Sequence, residues 1–416
     1  MSPNRSSPHV LMLGAGLGGL SLAQALRKRG ISFEIFERDN RDLERPQGWT
    51  VSVHSMVEDM KESVADDMPP FNTVDHLDSV DIPCEFAYYN PDSTAKMGYR
   101  DDGSRTYMWA NRSTLRKWLS THIDIQYDKH AIRIEESDKN VTVHFKDGSS
   151  AMGDILVGAE GVHSMTRKYI LKGNDPVQAE KLFLVSGDVH LTKHEMEEQM
   201  TLSHSSYLVD FPGADDGKTY HLFVGLDKLS PPNNEKKPGQ AGADYYFHLT
   251  GEDDGANCDG FWTYSATREE LCEFARRQAR DLPERFRCVI GKATAERMKR
   301  PPVRLNTLIM DSLPVGRVTL LGDAAHVMTP FRGEGGCHAM KDGLNLARAI
   351  DKIDKGDDQS LREALDEYQK EMIKRGCGAA AMSSKEYTTA IDHEKPDSRA
   401  VAGMAMVALP QERVVL

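Results

Sequence analysis

Three glycine-rich turns stand out among the residues able to do chemistry. They are Gly14-Ala15-Gly16-Leu17-Gly18-Gly19, Gly158-Ala159-Glu160-Gly161, and Gly322-Asp323 running on to Gly335-Gly336. The first follows the apolar run Val10 to Leu13 and leads into a helical pattern with Leu22 and Leu26 one turn apart, then a second strand through Phe33 and Ile35. Strand, glycine turn, helix, strand is the pattern of a dinucleotide site. Gly14 permits the tight turn, Gly16 lets backbone approach a pyrophosphate, and Gly19 lets helix and strand pack closely. The helix N-terminus presents amide N–H groups to the phosphates. Glu37, ending the second strand, is placed to accept the hydroxyls of an adenosine ribose. This motif alone does not separate FAD from NAD, and Arg38 beside it reads as a solvated strand-end charge. The other two turns also end apolar strands, Asp154 onward and Val318 to Leu321, so three strand-to-glycine turns point to one long ligand.

The third turn contains Cys337-His338, which invites a metal reading. Adjacent residues rarely ligate one zinc together, and no second cysteine pair lies near in sequence, so no metal is expected. The six cysteines are spread widely with no CxxC, which fits reduced thiols better than a disulfide framework.

These turns need elements to hold them. A chain of 416 residues with 39% hydrophobic content can bury two cores. The pattern predicts an α/β fold: a Rossmann-like dinucleotide domain interleaved with an antiparallel-sheet substrate domain, plus C-terminal helices. Residues 1–80, 105–170 and 295–350 fall to the first, 81–104 and 171–294 to the second. Residues 351–416 form a C-terminal helical segment and a tail expected to be loose beyond Asp392. The substrate region carries short aromatic and β-branched runs, "SSYLVDF", "KTYHLFVGL", "DYYFHLTG" and "GFWTYSAT", broken by polar loops. A helix is predicted from Arg268 to Arg280. Tyr207, Tyr220, His221, Phe223, Tyr246, Trp262 and Tyr264 are the candidates to line a cavity there, although packing explains any single one as well.

The net charge of −12 argues against nucleic-acid or anionic-membrane partners, which need clustered Lys and Arg. The N-terminus has no apolar signal region, and Ala400 to Pro410 is far too short to span a bilayer. The expected protein is cytoplasmic, a monomer or homodimer, with no integral membrane segment.

In the order of its motifs the chain resembles the FAD-dependent monooxygenases of the aromatic-hydroxylase class, similar to salicylate and para-hydroxybenzoate hydroxylases and particularly to fungal secondary-metabolism enzymes. Gly14 to Gly19 resembles their first dinucleotide motif, "RPQGWTVSV" the turn beside the ribityl chain, and "NRSTLRKWL" the Arg-x-x-Leu helix. "DILVGAEG" resembles the Asp-Gly motif and "GDAAHVMTPFRGEGG" the Gly-Asp motif. The resemblance implies FAD as resident cofactor, held by Gly14, Gly16, Gly19, Glu37, Gly48, Arg112, Asp323, Gly335 and Gly336. It implies NADPH or NADH as transient co-substrate, O₂ as oxidant, and an electron-rich small-molecule substrate (aromatic, indole or polyketide-like) that is hydroxylated or epoxidised. A flavin oxidoreductase on the same fold that inserts no oxygen is the alternative. The chain departs from the family at Glu160, where Asp is usual, and at Cys337, where Asn is usual. It offers His190 where many relatives carry an arginine, so no catalytic arginine transfers; His190, Tyr207 and His221 are the catalytic candidates.

Overall fold

The computed structural model describes residues 7–40, 49–91, 95–230, 242–253, 262–388, 400–401 and 404–412. At its centre lies a five-stranded parallel sheet in the spatial order Val318–Leu320, Ile155–Gly158, Val10–Leu13, Phe33–Phe36, Ile125–Gln126. The strands VLML, ILVG and VTL are buried throughout. Such continuous apolar runs suit a parallel sheet covered on both faces. The registers Leu13 to Gly158 and Gly158 to Leu320 bring the carboxyl ends of these strands side by side. Ligands of open parallel sheets bind at that end. Three glycine turns far apart in sequence therefore meet at one edge.

Close backbone approach holds the turns together. Gly14 has φ +106°, and a Cβ there would lie 2.3 Å from the Ala159 carbonyl oxygen. The helix Leu17–Arg29 crosses Gly335–Ile350 through small residues. A Cβ on Gly18 would come within 2.9 Å of Ala339 O, and one on Gly343 within 2.7 Å of Gly18 O.

The second core belongs to a seven-stranded sheet ordered Leu182–Thr192, Gly242–Glu252, Thr219–Ser230, Ser206–Pro212, Glu85–Tyr89, Met97–Arg100, Val407–Ala408. Every pair is antiparallel except Ser206–Pro212 with Glu85–Tyr89, which is parallel. The helices Lys193–Leu202, Arg268–Gln278 and Glu284–Gly291 accompany this sheet, and their buried residues share its core on one face. Capping boxes at Thr192/Glu195 and Thr267/Glu270 start the first two. The sheet's other face opens on the glycine turns.

The helices Asp358–Met372 and Gly378–Thr388 are joined by a π-helical turn at Ile373–Cys377. Beyond them the tail departs from expectation. Val407 and Ala408 pair with Gly98 and Met97, adding a strand to the open edge of the large sheet. An edge strand offers unpaired N–H and C=O groups, and this short segment takes them up. Among the described residues no helix is long and apolar enough to cross a membrane.

Candidate functional site

One continuous cleft runs from the glycine turns to the open face of the seven-stranded sheet. Its first third is built on Gly14, Gly16 and Gly19. A Cβ at Gly16 would meet nothing within 4 Å, so backbone there is open to an incoming group, whereas one at Gly19 would strike Gly14 O at 2.2 Å. Glu37 lines the cleft and is fixed from behind: its Oε2 accepts from Ala15 N–H at 2.9 Å and its Oε1 from Asp39 N–H at 3.0 Å. Each oxygen keeps a further lone pair for a hydroxyl. Arg116 Nε donates to Ala15 O at 2.9 Å, tying the helix Arg112–Leu119 to the same turn.

Arg112 is the first residue of that helix, whose Asn111 cap accepts from Ser113 and Thr114 N–H. Its guanidinium and the Asp323 carboxyl both border the cleft and attract one another. Asp323 is exposed only because it faces the cleft. Its depth in the protein pushes its pKa up from the ordinary carboxylate value, against the pull of Arg112 and His326. Gly48 lies outside the described residues.

The Asp-Gly-like turn uses Glu160 as a brace. Its Oε2 accepts from Ser164 Oγ at 2.7 Å and its Oε1 from Thr166 N–H at 3.0 Å, at the start of the helix Met165–Ile170. Arg167 is fully buried, with Nη1 donating to Ala324 O at 3.1 Å and Nη2 to Val162 O at 2.6 Å. It therefore joins the second glycine turn to the third.

The third turn is held by a buried charge network. Asp342 Oδ2 accepts from Gly322 N–H at 2.7 Å and meets His326 Nε2 at 2.6 Å, and Oδ1 accepts from Arg375 Nη2 at 2.6 Å. Burial alone would discharge both partners, yet their attraction wins: His326 is pushed up and Asp342 down, an ion pair. Arg375 Nη1 also donates to His338 Nδ1 at 2.9 Å, and Arg332 makes a two-pronged contact with Glu334 at 2.9 and 3.0 Å. Burial would raise Glu334, but His338 and Arg332 bring it down to about 2. Gly335 and Gly336 open the long helix at the cleft, where a Cβ on Gly336 would sit 2.7 Å from Val51 Cγ1. Cys337 turns away: Sγ donates to Ser52 O at 3.2 Å, and burial pushes its thiol up to about 12. It is an inert thiol. Cys337 and His338 thus go to different partners.

A glycine cradle, a ribose-facing carboxylate, a cationic Arg112 and a helix N-terminus at the far end fit a flavin dinucleotide. The anionic middle and the electron-accepting ring of FAD would find backbone N–H groups at both ends.

The sheet supplies the remaining wall by strict alternation. Leu208, His221, Phe223, Tyr246, His248 and Thr250 face the cleft, while Tyr207, Val209, Tyr220, Leu222, Tyr245 and Phe247 face the helices. His221 Nδ1 meets Asp210 Oδ1 at 2.6 Å, and Tyr88 donates to Asp210 Oδ2 at 3.2 Å. His248 Nδ1 bonds Ser186 Oγ at 2.8 Å, and burial lowers it to about 3, so it is neutral. Its ring stacks on Phe223 with centroids 5.9 Å apart, and Tyr246 stacks on Trp49 at 5.5 Å. The surface is aromatic.

Of the three catalytic candidates only His221 reaches the cleft. Tyr207 is buried on the helix side with its hydroxyl on Gln199 Oε1 at 2.8 Å, and His190 pairs with Asp244 at 2.9 Å on the sheet's outer strand. Tyr207 is set aside because the strand phase turns it to the helices; His190 shares the phase of Tyr246 and His248 but stands farther along its strand, outside the cleft lining. Tyr220, Trp262 and Tyr264 also leave the cavity: the first two pack with Phe183 and Phe274, and Tyr264 is 38% exposed. Phe223 and Tyr246 stay. Phe86, Tyr88, Tyr107, Trp109, His248 and Met406 line the cleft without having been singled out. Of these, only His248 carried a legible signal, its two-residue spacing from Tyr246 in "DYYFHLTG".

Comparison with known proteins agrees with this geometry. Residues 8–382 match the family described as FAD binding domain. The chain is 37% identical over 415 residues to FAD-dependent monooxygenase thnD of Trichoderma harzianum, covering 98% of this chain and 99% of that one. Among solved structures, a putative FAD-containing monooxygenase from Photorhabdus luminescens superposes with a TM-score of 0.71 at 22% identity, over 93% of this chain and 99% of that one. Klebsiella pneumoniae HpxO, complexed with FAD and uric acid, gives 0.69 at 21% identity, over 93% and 90%.

Proposed function

The chain belongs to the FAD binding domain family and is an FAD-dependent monooxygenase, and from that premise we propose that its aromatic sheet face presents an electron-rich small molecule to a flavin seated over Gly335 and Gly336. The observation that carries this is the single cleft joining the glycine turns to Phe223, Tyr246 and His248. When bound and reduced by NADH or NADPH, a flavin would supply the activation of O₂.

The rest falls to the protein's own residues. Gly16 would admit the pyrophosphate, with Gly14 shaping the tight turn and Gly19 the helix–strand packing beside it, Glu37 would take the ribose hydroxyls, and Arg112 would neutralise charge near the middle of the cofactor. Asp323 accepts a hydroxyl of the ribityl chain. Gly48 belongs with them by resemblance. The amides at Gly335 and Gly336 would hold the part of the ring that gains negative charge on reduction. Phe223, Tyr246 and the neutral His248 hold a planar substrate and exclude water, which protects the oxygenating species from breakdown. His221, backed by Asp210, holds or moves a proton at a substrate oxygen, since Asp210 fixes its Nδ1. In domain terms, residues 1–80, 105–170 and 295–350 carry the cofactor, and 81–104 with 171–294 carry the substrate. The protein works in the cytoplasm as a monomer or homodimer.

Purified protein should show a flavin spectrum. NADH or NADPH oxidation stimulated by one of a panel of phenols and indoles should place one ¹⁸O atom from ¹⁸O₂ in the product. Tightly coupled turnover without ¹⁸O in the product refutes insertion and leaves the dehydrogenase alternative.

A further inference from the structure

The C-terminal segment reaches the active cleft. Residues 400–401 lie against the turn Pro330–Arg332 of the flavin loop, and residues 404–405 against the strand Met97–Arg100. Between these and the short strand Val407–Ala408 stands Met406, only 3% exposed. Its side chain packs in a cluster with Cys84, Phe86, Tyr88, Tyr107 and Trp109, and it borders the same cleft as the four aromatic residues. The segment thus spans from the floor under the flavin to the edge of the substrate sheet.

Its anchorage is specific. Leu409 N–H donates to Lys96 O at 2.9 Å, and Arg100 Nη1 bonds Glu412 Oε2 at 2.9 Å. Gly98 makes the seat, because a Cβ there would lie 2.9 Å from Leu409 Cδ1. Arg100 is itself fixed by the buried carboxylate of Glu85, which also holds Lys96. Two ladder pairs, one further backbone bond and one ion pair therefore set where Met406 stands.

We propose that Met406 is a specificity-determining residue, the end wall that fixes how long a ring system the cleft admits and that keeps water from the reacting face. The proposal rests on the reading of the cleft as a monooxygenase substrate site. A thioether suits such a wall: it is unbranched, polarizable, and packs favourably at aromatic edges such as those of Tyr88 and Trp109. Shortening it opens apolar space toward the tail, and enlarging it fills space now open to substrate.

The test uses the full FAD-loaded chain and its Met406→Ala and Met406→Trp variants. Phenol, 1-naphthol and 1-anthrol, graded by ring number, are titrated against the flavin absorbance spectrum. Peroxide released per NADH consumed is measured with each. Met406→Ala should move preference toward the larger ring system, change the affinity ratio of the outer two probes by about tenfold, and raise the peroxide share. Met406→Trp should move preference the other way. Flavin content should match wild type in both. The proposal is overturned if both variants keep the wild-type ranking and peroxide share, if the wild type binds none of the probes, or if the variants lose flavin. Failure of the monooxygenase reading itself appears separately, as absence of ¹⁸O in products of the wild type.

Discussion

On the proposed reading, Asp323 is the side chain on which cofactor retention should most depend, because it borders the cleft and interacts with Arg112. A hydrogen bond to a charged group is worth about 1.5–3 kcal/mol, so Asp323→Ala should weaken FAD binding by about 10- to 100-fold. Equilibrium dialysis of the apoprotein against FAD checks it, and Asp323→Asn, which keeps a carbonyl oxygen, should lose less. Unchanged affinity in the alanine variant would remove Asp323 from the site. At this scale the sequence was most readable where chemistry is local. Gly14, with its positive φ, and Glu37, two residues before the Asp39 amide it accepts, sit within one short unit. Tyr207 was unreadable because nothing in a residue's type tells which face of a strand it takes, and His190 because nothing tells how far along a strand the cleft extends.

The element that governs the flavin loop is the π-helical turn Ile373–Cys377. It aims Arg375 at Asp342 and brings Gly376 against His326, where a Cβ would lie 2.2 Å from the ring. Removing one partner of a buried ion pair typically costs about 3–5 kcal/mol, since the other charge stays behind. Arg375→Met should therefore lower the melting temperature by several degrees and loosen FAD, with Asp342→Asn in the same chain recovering part of both. No recovery in the double variant would mean the arginine acts through Glu371 or His338 instead. The helix Gly335–Ile350 was legible from its spacing. The clamp upon it was not, because Asp342 and Arg375 are 33 residues apart and only packing makes them neighbours. The tail strand escaped for a like reason: two paired residues form no pattern until the edge they join is known.

Across the whole molecule, buried histidines set the response to acid. His54 is lowered to about 4, and His76 and His248 to about 3, each by burial, from an ordinary value of 6.5. The unfolded chain binds these protons first, so their contribution is complete above pH 6.5 and is lost as pH falls toward 4. Asp75, raised by burial to about 6, works the other way. His326 is raised, so its contribution is held below 6.5 and lost as pH rises through its higher value. The denaturant midpoint should drop steadily from pH 7 to pH 4.5, and less steeply in His248→Gln. An equal slope in that variant would show that His248 is not held neutral by the fold. The division of the chain into a cofactor sheet and a substrate sheet was readable as a whole from the three strand-to-glycine turns and the aromatic runs between them. The parallel pairing of Ser206–Pro212 with Glu85–Tyr89 was not, since the two segments lie far apart in sequence and only packing makes them neighbours.

The two-residue alternation of the large sheet separates inheritance of fold from inheritance of taste. Leu208, Phe223, Tyr246, His248 and Thr250 touch ligand space, and the residues between them touch the helices. A library that varies only the first set changes what the enzyme accepts while leaving the second set, and so the scaffold's solubility, alone. Descendants of this chain can diversify their chemistry along one side of a sheet whose other side stands still.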